Sequence, residues 1–94
     1  MYQITWTPHA LETYEHILDF ILERWSIQVV MDLNDKVLAL EQRLSNNQSL
    51  CPASKKQKGL RRCVVTRHTS MLYRTNDKEI QIIAFFDSRT NHSF

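Results

Sequence analysis

Glycine occurs once and proline twice in the 94 residues. So little of either excludes a collagen-like, low-complexity or linker-rich chain. No apolar run approaches the roughly 20 residues that a membrane-crossing helix needs. The stretch from Met1 to Pro8 lacks a basic segment followed by an apolar one, so no signal peptide is expected. Cysteine is limited to Cys51 and Cys63, which form no CxxC motif and no metal-ligand spacing. They can in principle pair with each other, but for a protein of a reducing cytoplasm two free thiols are expected. No Ser-His-Asp arrangement, phosphate-binding glycine loop or paired-carboxylate site is readable. His9 and His16 lack ligand partners at sensible spacing, and His68 falls at a turn, so each is assigned a structural or solvent role.

Acid is missing where base is plentiful. Between Gln48 and Asn76 there is no Asp or Glu, yet Lys55, Lys56, Lys58, Arg61, Arg62, Arg67 and Arg74 all fall there. Residues 1–47 hold three bases against seven acids, and residues 48–94 hold nine bases against three acids. The formal net charge of +2 therefore conceals a −4 half and a +6 half. One-sided positive charge suits a polyanionic partner or an acidic protein segment.

What remains reads as one domain over residues 1–94, 43% hydrophobic and 23% charged. Tyr2 to Thr7 is β-branched and aromatic, as in a strand. Thr7-Pro8 marks a helix start, because threonine can cap and proline at the first position gives up only an N–H that has no intrahelical partner. Ala10, Tyr14, Ile17, Ile21 and Trp25 then recur at helical spacing, with Leu18 and Leu22 widening the stripe. Ser26 can cap a second helix, in which Val30, Leu33, Val37, Leu40 and Leu44 repeat at three and four. Ile27, Met31 and Leu38 line a neighbouring row. Both stripes are expected to be core, in an antiparallel helical hairpin.

A basic loop from Cys51 to Gly59 follows, then strand-like runs at Leu60–Arg67, Thr69–Thr75 and Glu79–Phe86. The order β-α-α-β-β-β indicates an α+β fold, with a mainly antiparallel sheet carrying the N-terminal helical hairpin on one face. Strand side chains alternate between faces. Arg61, Cys63, Val65 and Arg67 therefore share one face, and Arg62, Val64 and Thr66 the other. Tyr73 is expected to face the helices. The face the helices leave open is expected to show part of the basic set, flanked by Lys55, Lys56 and Lys58.

The chain resembles the RelE/ParE superfamily of toxins from type II toxin–antitoxin pairs. The resemblance rests on WTPHA at the first strand's end, KGLRR before the second strand, MLYR in the third and FFDSR closing the last. It implies a cytoplasmic, growth-inhibiting toxin neutralised by a cognate antitoxin, with no metal, organic cofactor or membrane association. Antitoxins of this kind wrap an extended, partly helical segment around the toxin, ordering as they bind.

The resemblance implies two mechanisms, inhibition of DNA gyrase by ParE-like members and ribosome-dependent mRNA cleavage by RelE-like members. Cleavage by the ribose 2′-OH needs proton transfers and positive charge around the phosphate. Arg61 and Arg89 fall where such bases are expected. His92 could act as acid or base, and Phe94 could stack on a nucleobase. Cys63 and Ser70, however, occupy positions where RelE-like nucleases commonly carry bases. That departure favours the ParE-like reading slightly. Lys55, Lys56, Lys58, Arg62, Arg67, Arg74 and Phe94 are then candidates for contact with a target or nucleic acid. An inactive family member, or a nucleic-acid-binding module of the same shape, is the third reading.

Overall fold

The computed structural model describes residues 1–88. Its elements run β1 (Gln3–Trp6), α1 (Pro8–Arg24), α2 (Ile27–Asn46), β2 (Arg61–Val64), β3 (Thr69–Thr75) and β4 (Glu79–Asp87). This is the α+β order expected from the sequence. The strands lie side by side as β1-β4-β3-β2. β1 runs parallel to β4, and the other two pairings are antiparallel. No helix among the described residues is long and apolar enough to cross a membrane.

Both helices begin at the expected caps. The Ala10 N–H donates to Thr7 Oγ1 at 3.0 Å, and the Val29 N–H donates to Ser26 Oγ at 3.4 Å. α1 buries Ala10 and Tyr14, while α2 buries Leu33, Val37, Leu40 and Leu44. These meet Met71, Tyr73, Ile80, Ile82 and Phe85 from the sheet in one core. Trp6, half-buried, packs ring on ring with Tyr14 and Phe85 of this core, with centroids 4.7 to 5.3 Å apart. Trp6 Nε1 donates to Glu41 of α2 and Tyr14 Oη to Asn34, so each buried polar tip has a partner.

β4 is longer than β1, and the excess is covered by α1. The pairing with β3 jumps from Leu72↔Ala84 to Tyr73↔Ile82, which leaves Ile83 as a bulge. Thr7 Oγ1 donates to the bulged Ile83 carbonyl at 3.2 Å. The Phe85 N–H donates to Thr13 Oγ1 at 3.0 Å. Two threonines of the α1 region thus satisfy backbone groups that no strand reaches.

The structure departs from the sequence expectation in three places. β2 stops at Val64 rather than Arg67, because the N–H groups of Val65 and Thr66 both turn to the Thr69 carbonyl. Thr66 Oγ1 fixes that turn by accepting from the N–H groups of His68 and Thr69. The helical stripes are not wholly core: Leu22, Trp25, Ile27, Met31 and Leu38 are at least half exposed. They lie beyond the sheet's reach, at the hairpin's turn or on its outer side. Finally, Cys51 and Cys63 are not free thiols but a disulfide. The physical cause is register. Ala53 bridges Arg61 in an antiparallel sense, so Cys51 falls opposite Cys63, with Cα atoms 5.3 Å apart.

Burial, and then the nearby Glu41 carboxylate, pushes the Tyr14 hydroxyl from 10.0 up to about 12. The folded chain therefore keeps a proton that the unfolded chain releases. This contribution to stability is complete below about pH 10 and is lost as pH rises towards 12. Denaturant titrations across that range will show steepening alkaline destabilisation, and Tyr14→Phe will flatten it. An unchanged slope in the variant would contradict the assignment to Tyr14.

Candidate functional site

The basic segment is organised around Cys51. Its carbonyl accepts Arg61 Nη1 at 2.7 Å. Its N–H donates to Tyr73 Oη at 3.3 Å, and that hydroxyl donates to the Gln48 carbonyl at 2.8 Å. Its sulfur is bonded to Cys63 in the middle of β2. The Tyr73 hydroxyl is pushed up by burial, against smaller lowering effects from the Cys51 hydrogen bond and from Arg61. It stays a neutral donor at neutral pH.

Beyond Cys51 the chain folds back along the edge of β2. The Ser54 N–H donates to the Leu60 carbonyl and the Arg62 N–H to the Pro52 carbonyl. Ser54 Oγ accepts from the backbone N–H groups of Lys56 and Gln57. Gly59 reverses the chain at φ +85°, a left-handed conformation that suits glycine. Lys55, Lys56 and Lys58 project from this loop, exposed. Lys55 and Lys56 share a concavity of about 360 Å³ with Pro52, Ser54, Arg62 and Val64.

The other candidate bases are dispersed. Arg62 lies on the sheet face away from the helices, with Nη2 3.5 Å from Ser70 Oγ and its guanidinium over the Phe86 ring at 5.2 Å. Arg74 is on the same face but towards the other end of β3, donating from Nε to Gln81 Oε1 at 2.6 Å. Between them that face is neutral, for Ser70, Leu72 and Ala84 are all buried. Arg61 turns to the helix side and is held by Cys51. Arg67 sits on the turn between β2 and β3. The single cationic face expected from the sequence is therefore a cluster of Lys55, Lys56 and Arg62, with Lys58 nearby in the loop. Arg89, His92 and Phe94 lie outside the described residues.

A second concavity, of about 500 Å³, goes beyond the sequence expectation. Ile17, Phe20 and Ile21 of α1, Trp25 and Val29 form its helical wall, and Arg67, His68 and Asp87 stand opposite. Trp25 is 57% exposed. It pairs with Phe20 at 6.1 Å between ring centroids, and Arg24 caps the Phe20 ring at 4.6 Å. Exposed aromatic and aliphatic side chains beside a groove are typical of protein-contact hot spots. The sequence signal is the crowding of apolar residues from Phe20 to Met31, which exceeds what one buried stripe can absorb.

The two RelE-like positions can be read directly. Cys63 is buried within the disulfide, and Ser70 is fully buried, with its hydroxyl 2.6 Å from Ser88 Oγ. Neither supplies positive charge. Among the described residues there is no group of three or more His, Cys, Asp or Glu arranged to hold a metal ion.

Comparison with known proteins yields one family and a consistent fold. The family described as the ParE toxin of type II toxin–antitoxin systems, parDE, matches residues 4–92. The chromosomal ParDE toxin–antitoxin system of P. aeruginosa contains a chain with TM-score 0.76 and 22% identity, covering 93% of this chain and 96% of that one. A conserved hypothetical protein from Helicobacter pylori, HP0894, aligns at TM-score 0.66 and 19% identity, over 95% of this chain and 97% of that one. The E. coli DinJ-YafQ complex gives 0.62 and 16%, over 98% and 99%. At these identities the structural likeness is one of fold. A search of curated protein sequences finds no match.

The loop geometry makes a prediction about salt. Replacing Lys55, Lys56 and Lys58 together with Ala will weaken binding to a single-stranded nucleic acid or heparin. The slope of log K against log salt will flatten by about 0.7 for each phosphate that the variant no longer neutralises. Arg74→Ala, remote from the cluster, will have a smaller effect. Fluorescence anisotropy across a salt series measures both, and equal slopes in wild type and triple variant would refute the electrostatic role.

Proposed function

This chain belongs to the ParE toxin family of type II toxin–antitoxin systems, and from that membership we propose that it arrests growth by binding DNA gyrase rather than by cutting mRNA. One observation carries the choice. At the two positions where RelE-like nucleases commonly hold bases, this chain has a disulfide sulfur and a buried serine hydroxyl. Cleavage needs charge and proton transfer at the scissile phosphate. Arg61, the remaining candidate on β2, is already committed to the Cys51 carbonyl. A binding mechanism asks less: a shaped surface with cationic and apolar contacts, such as the loop cluster and the aromatic groove provide.

The cognate antitoxin is the second partner. Its expected amphipathic segment suits the groove between Phe20, Trp25 and Arg67, where apolar anchors would be buried and an acidic side chain could meet Arg67.

Two outcomes are expected. Purified protein will inhibit supercoiling of relaxed plasmid by gyrase, while translating ribosomes given the same protein will show no new mRNA ends. Codon-specific mRNA cleavage with gyrase untouched would replace this reading with the RelE-like one. Separately, Phe20→Ser with Trp25→Ser will leave the fold intact, since both side chains are exposed. It will weaken capture by the antitoxin by at least about tenfold, as loss of hot-spot aromatics does. Titration calorimetry and growth rescue by co-expressed antitoxin measure this, and undiminished capture would move the antitoxin elsewhere.

A further inference from the structure

We propose that the Cys51–Cys63 pair is a reversible redox modification site that sets the order of the basic loop. These are the chain's only two cysteines, so within one molecule they can pair only with each other. The bond encloses the whole lysine loop, Lys55, Lys56 and Lys58 included, between one end of the loop and the middle of β2. It closes the open end of a short fold-back that is otherwise held by non-covalent fastenings, among them the Ala53–Arg61 bridge, the bonds from the Ser54 N–H to Leu60 and from the Arg62 N–H to Pro52, and the Ser54 hydroxyl that accepts from Lys56 and Gln57.

The remaining fastenings at Cys51 do not involve sulfur. Tyr73 Oη and Arg61 Nη1 hold its N–H and carbonyl. Cys63 lies on the helix-facing side of β2, opposite Met71, where a thiol packs as a small apolar group. Reduction therefore leaves core and sheet in place and removes only the covalent closure of the loop. The lysines then sample more conformations, and a partner that reads them must order them on binding.

The exchange is balanced by a small-molecule disulfide of the glutathione type. In oxidation, the Cys51 thiolate attacks one sulfur of glutathione disulfide and expels a glutathione thiolate. The Cys63 thiolate then attacks the Cys51 sulfur and expels the second. Two electrons and the two thiol protons pass from protein to glutathione. Cys51 is the less buried of the two residues, and in this exchange it is taken as the one that meets the small molecule. In a reducing compartment the pair rests as thiols, and an oxidising shift closes it.

Trypsin reads the loop directly, because it cuts after lysine, and this readout is independent of gyrase or antitoxin binding. The intact protein is equilibrated in glutathione buffers from strongly reducing to strongly oxidising. Thiol state is read by alkylation and mass, the fold by circular dichroism, and cutting after Lys55, Lys56 and Lys58 by peptide mapping. We expect a reversible transition within the buffer range, an unchanged spectrum, and loop cutting at least about tenfold faster in the reduced form. The double variant Cys51→Ser, Cys63→Ala will be cut at the fast rate in every buffer. Cutting rates within twofold of each other in the two states, a pair that never changes state across the range, or collapse of the reduced protein's spectrum would each overturn the proposal. The last would make the bond a structural staple.

Discussion

The architecture hangs on how the exposed length of one strand is closed. β4 runs well past the end of β1, and a strand edge facing nothing is a row of unpaired backbone groups. Thr7 and Thr13 meet that edge with hydroxyls, one donating to the bulged Ile83 and one accepting from Phe85. Because Thr7 also caps α1, the helix start and the sheet edge are fixed by the same side chain. That placement brings Tyr14 against Phe85 and Trp6, and through Asn34 and Glu41 it sets where α2 lies.

Much of this was legible in the sequence, because it depends on local rules. Thr7-Pro8 and Ser26 announced their helices, and the three- and four-residue spacing from Val30 to Leu44 announced the buried face of α2. The alternation in MLYR placed Tyr73 inside. What escaped depends on distance in the fold rather than in the chain. Trp25 continues the helical period of α1, yet it lies beyond the sheet and stays exposed. No periodicity reports where the opposite surface ends. Strand alternation put Arg61 and Arg67 on one face and Arg62 on the other and left open which bases converge; in the fold Arg61 is drawn inward by a carbonyl ten residues away and Arg67 is carried round a turn. The disulfide was half legible. Cys51 and Cys63 stand at equal distances from the centre of a fold-back that contains the only glycine, which is what an antiparallel register requires. Compartment chemistry argues the other way.

The two concavities offer different physics to a partner. The one beside Lys55, Lys56 and Arg62 offers charge, which acts at a distance and weakens with salt. The one under Phe20 and Trp25 offers mainly desolvation, which acts only at close range. Holding these apart lets two partners draw on different mixtures of the two, as the proposed function requires.

The strand order has a further consequence for how the molecule comes into being. β4 sits between β1 and β3, yet among the described strands it comes last along the chain. Until residues 79–87 have left the ribosome, β1 has no neighbour and β3 pairs only with the four-residue β2. Pairings this distant along the chain form late and slowly. The sheet therefore cannot close around β1 until the segment that follows β3 has been made, and the surfaces built on it wait for that strand.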